Sequence, residues 1–137
     1  MNREILFRGQ QAVNGNWKYG YYVKLSDGKK ESHRIYTGYG EIDCGDYYPD
    51  WFEVDPESIG QWTGLTDKNG KKIFEGDIVL KRTYNRKKKF PVSFDGGMFY
   101  CGIGGGSSTP THRYTLEDSQ IEVIGNIHDN PELLKGD

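Results

Sequence analysis

The side chains that could do chemistry in this chain are few and scattered. Its three histidines, His33, His112 and His128, stand far apart. Neither they nor the two cysteines, Cys44 and Cys101, fall into the paired spacings that hold a zinc ion. His112 also has the cationic Arg113 beside it, which repels a metal. Cysteine catalysis needs a histidine, a cation or a helix N-terminus against the thiol to lower its pKa. Cys101 instead lies in Met98-Phe99-Tyr100-Cys101, which reads as the interior of a strand. Paired carboxylates for general acid–base work could come from the acidic stretch between Glu41 and Glu57, but so many acids there offer chance pairs and single out no two. Gly102-Ile103-Gly104-Gly105-Gly106-Ser107-Ser108 has the glycines of a phosphate-binding loop. It lacks the Lys-Ser/Thr step, and Thr109-Pro110-Thr111 follows where a helix would have to start. The residues thus assign no catalytic group, no metal and no cofactor.

The elements that would position any site are short strands. Turn signals recur about every ten residues. Asn14-Gly15-Asn16 separates Ile5-Leu6-Phe7 from Trp17 to Val23, and Ser26-Asp27-Gly28 precedes Ser32 to Thr37. Asp67-Lys68-Asn69-Gly70 reads as a hairpin loop, and Asp95-Gly96-Gly97 links Phe90 to Phe94 with Met98 to Tyr100. At Glu75-Gly76-Asp77 a sharp turn is expected. Gly76 supplies the unrestricted φ, Asp77 bonds back across the turn, and a long strand runs from Asp77 to Tyr84. Two single helical turns are expected at Asp55-Pro56-Glu57-Ser58 and Asn130-Pro131-Glu132-Leu133-Leu134, where Asp55 and Asn130 can cap and proline takes the first position. Hydrophobic residues make up only 34% of the chain and aromatic ones 14%, so a few large rings must supply much of the core. Tyr19, Tyr21, Tyr22 and Tyr36 could form an exposed platform, although alternation on paired strands should place at least half of them inside.

A formal net charge of −2 gives no global attraction to nucleic acid or anionic lipid. The charge is nevertheless uneven. From Glu41 to Glu57 there are seven acids and no Lys or Arg, interleaved with Tyr47, Tyr48, Trp51 and Phe52, so Tyr47, Tyr48, Asp50, Trp51 and Phe52 form a candidate acidic–aromatic surface. From Lys81 to Lys89 six of nine residues are basic. Lys81, Arg82, Arg86, Lys87, Lys88 and Lys89, with Tyr84 and Phe90 as stacking rings, form a candidate nucleic-acid contact. Each run also reads as a plain solvated loop, and the two, opposite in sign, could pair with one another for little gain in stability. The N-terminus carries charges where a signal peptide needs an apolar stretch, and no segment is long and apolar enough for a membrane helix. With only two cysteines there is no disulfide framework to read. The expectation is a cytoplasmic protein with reduced thiols.

The stretch from Val54 to Val79, with Gln61-Trp62-Thr63-Gly64-Leu65 followed by Asp67-Lys68-Asn69-Gly70 and then Gly76-Asp77-Ile78-Val79, resembles the YopX family of small phage and prophage proteins. Arg3 to Gly9 is similar to that family's opening strand, and Trp17-Lys18-Tyr19-Gly20 to its Trp-x-Tyr-Gly pattern. Val123 to Leu134 is similar to its closing strand and terminal helical turn. The resemblance spans nearly the whole chain. It implies a mostly β fold, with an N-terminal antiparallel sheet region over 1–57 and an SH3-like barrel over 58–137 ending in a short helical turn. It carries over no functional residues. The basic run Lys81–Lys89 and the glycine loop Gly102–Gly106 depart from the family pattern.

These features lead to the expectation of a non-enzymatic, phage- or prophage-encoded accessory protein, a β-rich binding module with a protein partner. Self-association is compatible with the sequence, and no membrane partner is indicated. A nucleic-acid-binding module using 81–89 is the second reading and a small-substrate enzyme the third. The basic run leans toward a solvated tip, because the acidic segment would repel the same phosphate backbone if it lay nearby. Without clustered ligands, the purified protein should carry no stoichiometric zinc or iron. Elemental analysis finding about one metal ion per chain, retained after chelation, would contradict this.

Overall fold

The computed structural model describes residues 3–41, 47–83, 86–103, 112–117 and 120–135, with backbone only at 39–41, 47–49, 83, 103 and 112. The chain is mostly β, as expected, and divides into two compact units, residues 1–62 and 63–137.

In the first unit the turn signals separate four antiparallel strands: β1 (Phe7–Gln10), β2 (Trp17–Ser26), β3 (Glu31–Glu41) and β4 (Tyr47–Glu53). They lie in the order β4-β3-β2-β1, and Gly60 and Gln61 at the start of β5 (Gly60–Thr66) pair with Arg8 and Phe7 on the free side of β1. The opening strand begins later than the Ile5-Leu6-Phe7 run suggested, and Ile5 is exposed. The acidic stretch Glu41–Glu57 is not simply a loop, since it begins at the end of β3, contains the whole of β4 and runs into the 3-10 turn at Pro56. Side chains alternate between the two faces. One face carries Tyr22, Ile35 and Phe52 in cross-strand register, with Ile35 fully buried. Gly20, in the Trp-x-Tyr-Gly pattern, sits where any Cβ would collide with the Tyr36 carbonyl, so β2 and β3 approach only because that residue has no side chain. Asp55 caps the single 3-10 turn Pro56–Ser58 as expected, its carboxylate accepting from the Glu57 amide at 3.1 Å.

The second unit contains the rest of β5, β6 (Lys72–Phe74), β7 (Asp77–Thr83), β8 (Arg86–Asp95), β9 (Met98–Ile103), β10 (His112–Tyr114) and β11 (Glu122–Asn126). Five of these form an antiparallel sheet in the order β10-β9-β8-β7-β11. Its core is Ile73, Val79, Phe90, Val92, Cys101, Leu116, Ile121 and Val123. Neither sheet closes on itself among the described residues, so the closure that defines an SH3-like barrel is not observed. The turn into β7 has the expected geometry. Gly76 has φ 91°, its amide donates to the Val92 carbonyl, and its own carbonyl accepts from Ile127, both at 2.9 Å. Asp77, buried, accepts from the Phe74 amide at 2.7 Å. The terminal turn Pro131–Leu134 forms, but Asn130 does not cap it. Its Oδ1 accepts instead from the Asn126 amide at 3.3 Å, backward along the chain.

Asp67 links distant parts of this unit. Its Oδ1 accepts the Asn69 and Lys71 amides, each at 2.9 Å, closing the β5–β6 loop. Its Oδ2 accepts the Val123 amide at 2.9 Å, tying that loop to β11. Burial alone would raise its pKa. The Val123, Lys71 and Asn69 amides and the Lys71 charge outweigh burial and hold the carboxyl below the usual 3.8.

Two outcomes follow for stability. Gly76→Val should lower stability by more than the ~1 kcal/mol typical of point changes, because a β-branched residue resists that φ. An unchanged melting temperature would show that the turn tolerates a side chain. Asp67→Ala should cost at least ~2 kcal/mol, through amides left unsatisfied. Because the folded pKa of Asp67 is depressed, its contribution is complete above the usual value of 3.8 and is lost as pH falls through the folded value. Thermal melts between about pH 5 and pH 2 should show the wild type losing stability more steeply than Asp67→Asn. Parallel curves would show that Asp67 plays no part in acid unfolding.

Candidate functional site

Two surfaces stand out, one on each unit. On the first unit, the face of the sheet opposite Ile35 is built from β2, β3 and β4. Strand register places Tyr21 beside Tyr36 and Tyr36 beside Trp51, so three rings form one row across the sheet. The next row holds Val23, Arg34 and Glu53, and Leu25 and Ser32 follow. Tyr21 is 62% exposed, Leu25 41% and Trp51 40%. The Arg34 guanidinium lies 3.8 Å from the centre of the Trp51 ring, and Tyr36 tilts against the same ring at 6.4 Å between centroids. Arg34 Nε donates to Ser32 Oγ at 3.1 Å and Nη1 to Tyr36 Oη at 3.4 Å, fixing the plane of the guanidinium. Leu25, Ser26, Asp27, Lys30, Ser32, Arg34, Trp51 and Glu53 line a groove of about 390 Å³ at one end of these rows. At its rim the Asp27 carboxylate accepts from the Lys29 and Lys30 amides at 2.9 and 2.8 Å. These bonds hold it below its usual pKa and brace the turn.

Of the tyrosines expected to split between core and surface, none is fully buried. Tyr19 and Tyr21 are exposed, and Tyr22 and Tyr36 are half-buried. The acidic–aromatic candidate also resolves differently from its sequence reading. Asp50, Trp51 and Phe52 lie on β4, where Trp51 and Phe52 point to opposite faces. Trp51 stacks on Arg34, and Lys18 Nζ lies 4.0 Å from the centre of the Phe52 ring. The side chains of Tyr47 and Tyr48 lie outside the described residues. Cations from neighbouring strands, which the local sequence does not contain, are therefore partners of Trp51 and Phe52. The part of the surface that sequence reasoning missed is Arg34, and the signal available for it was its alternation with Ser32 and Tyr36.

On the second unit, the basic run lies mainly on paired strands. Lys81 and Arg82 belong to β7, and Arg86, Lys87, Lys88 and Lys89 to β8. Register sets Lys81 opposite Lys88 and Arg82 opposite Lys87. Lys81 is buried, with Nζ 5.5 Å from the centre of the Tyr114 ring. Phe90 is 4% exposed within the core and cannot stack on a base, which removes one of the two rings proposed for that role. Tyr84 lies outside the described residues. On the opposite face from Phe90, Lys68, Leu80, Arg82, Lys87, Gln120 and Glu122 line a cavity of about 280 Å³. The Asp67 clamp, with a 2.9 Å bond from the Lys68 amide to the Ile121 carbonyl, brings Lys68 there. Its Nζ lies 3.7 Å from Glu122 Oε1.

Of the groups weighed for catalysis or metal binding, His33 and Cys101 are described with their surroundings, and the His112 side chain and residues 104–108 of the glycine loop lie outside the described residues. His33 Nδ1 is bonded to Tyr22 Oη at 2.7 Å, and its Nε2 lies 3.6 Å from Glu31. Among the described residues, no three of His, Cys, Asp and Glu converge as metal ligands. Cys101 is fully buried in the core, whereas Cys44 lies outside the described residues. No described helix is long and apolar enough to cross a membrane.

The model of the YopX protein family matches residues 6–135, nearly the whole chain. The chain belongs to the YopX family. Its fold is similar to the crystal structure of protein EF1440 from Enterococcus faecalis, with a TM-score of 0.62 and 26% sequence identity over 98% of this chain and 100% of that one. No curated protein matches the chain. Family and neighbour together cover both units.

Proposed function

We propose that this YopX-family protein is a non-enzymatic binding module, a cytoplasmic accessory protein encoded by a phage or prophage, and that its partner is a protein engaged by the aromatic face of the first unit. The observation that carries this reading is the open row Tyr21–Tyr36–Trp51 with Arg34 stacked on Trp51. Tyr, Trp and Arg dominate the binding energy of protein interfaces, because they combine large apolar area with a few directed polar atoms. Rings held in register on paired strands also lose little side-chain freedom on binding. The groove beside them has Arg34 and Lys30 against Asp27 and Glu53, a balance of charge that fits mixed protein side chains rather than a continuous polyanion.

Paired Tyr21→Ser and Trp51→Ser changes test this. Tyr21 projects into solvent while Trp51 also packs on Arg34 and Tyr36, so the melting temperature should fall by a few degrees with the β-sheet circular dichroism retained. A protein cross-linked to the wild type in infected or lysogenic host cells should be missing from the variant. With that protein purified, the double change should weaken binding by a factor of about 30 or more. If a second copy of this chain occupies the face, sedimentation should show a dimer for the wild type and a monomer for the variant. Identical protein capture and identical sedimentation for the two would reject the reading.

A further inference from the structure

The β7–β8 hairpin carries an arrangement that the fold does not need. Directly opposed like charges destabilise a strand pair, yet two successive pairs here are cation on cation, Lys81 with Lys88 and Arg82 with Lys87. One member, Lys81, is buried against Tyr114 on the core face. The other pair, Arg82 and Lys87, points together into the 280 Å³ cavity that Lys68 and Gln120 complete. The cavity's one carboxylate, Glu122, is already engaged by Lys68 at 3.7 Å. Among the described residues no carboxylate pairs with Arg82 or Lys87. Lys89 follows Lys87 on the same face of β8, about 7 Å along for alternate residues of a strand, so the positive row continues out of the cavity.

From this geometry we infer a second site on the molecule: the cavity lined by Lys68, Arg82, Lys87 and Gln120 binds the phosphate backbone of single-stranded nucleic acid. Arg82 supplies a planar fork of N–H donors suited to a phosphate. Lys87 stands beside it as a point charge, and Lys68, ion-paired with Glu122, and Gln120 line the rest of the cavity. Extension of the row to Lys89 fits a strand of successive phosphates better than one small anion. Because Phe90 is in the core, recognition rests on the backbone and is independent of sequence. The site lies on a different unit from the aromatic face and does not depend on the protein-binding reading.

Fluorescence anisotropy of the whole protein with a labelled single-stranded oligonucleotide of mixed sequence, across a salt series, tests the site. Wild-type affinity should fall linearly on a log–log plot against salt. Arg82→Ser with Lys87→Ser should weaken binding at least tenfold and reduce the slope by about 1.4, at roughly 0.7 per lost phosphate contact. Arg82→Lys should leave the salt slope unchanged, since the charge is kept, while losing part of the affinity with the fork. The double variant should also melt at the same or a higher temperature, because a repulsive pair has been removed, which separates lost contact from lost fold. Absence of salt-dependent binding by the wild type, or equal binding by the double variant, would overturn the inference. Protection of Arg82 and Lys87 by inorganic phosphate alone, with no oligonucleotide bound, would also overturn it, by making the cavity a small-anion site.

Discussion

The second unit depends on one buried carboxylate. Asp67 accepts two amides from its own loop and a third from Val123, far along the chain. A charge taken out of water is costly unless its lone pairs are satisfied, and here both oxygens are. The same bonds do two jobs at different ranges. The local pair selects the loop conformation between β5 and β6, and the distant one fixes where β11 begins. With β11 in place, Ile121 and Val123 complete a core that also draws on β6, β7, β8 and β9. Asp77 repeats the device on a smaller scale, closing the turn at Gly76 through the Phe74 amide. This clamp also places the candidate cavity, because Lys68 reaches Glu122 only from a loop held against β11.

Strand register plays the corresponding part in the first unit. A slip of one residue between β2 and β3 would send Tyr21 and Tyr36 to opposite faces and scatter the row of rings. Gly20 allows the close approach of the two strands, and the bulge between Tyr36 and Gly38 marks where the regular pairing of β3 with β4 shifts. Trp51 therefore meets Arg34 and Tyr36 because of ladder geometry. Register has the opposite energetic sense at β7 and β8, where it opposes like charges. In one sheet it assembles attractive contacts, and in the other it assembles a cationic row whose members repel. Such a row is most stable with an anion between them.

What the sequence by itself determined is whatever short-range backbone chemistry decides. The β character, the hairpin loops at Asp27-Gly28 and Asp67 to Gly70, the turn at Gly76-Asp77 and the Asp55 cap are legible because each depends on residues within four positions of one another. The near-complete family pattern is legible for a related reason, since its motifs are mostly such turns with their flanking strands. Surfaces were not legible in this way. Whether Phe90 stacks on a base or fills the core, whether Lys81 is solvated or lies against Tyr114, and whether Trp51 belongs with neighbouring acids or with Arg34 all depend on which strand lies beside which. The cap read at Asn130 failed for a different, local reason: the side chain had two amides within reach and took that of Asn126, four residues back, in place of one in the turn ahead. Composition placed charge and rings together in both runs, but pairing across strands then divided them between two faces. Only the tertiary structure decides that division, because a side chain's partners across a sheet come from residues the local sequence does not contain.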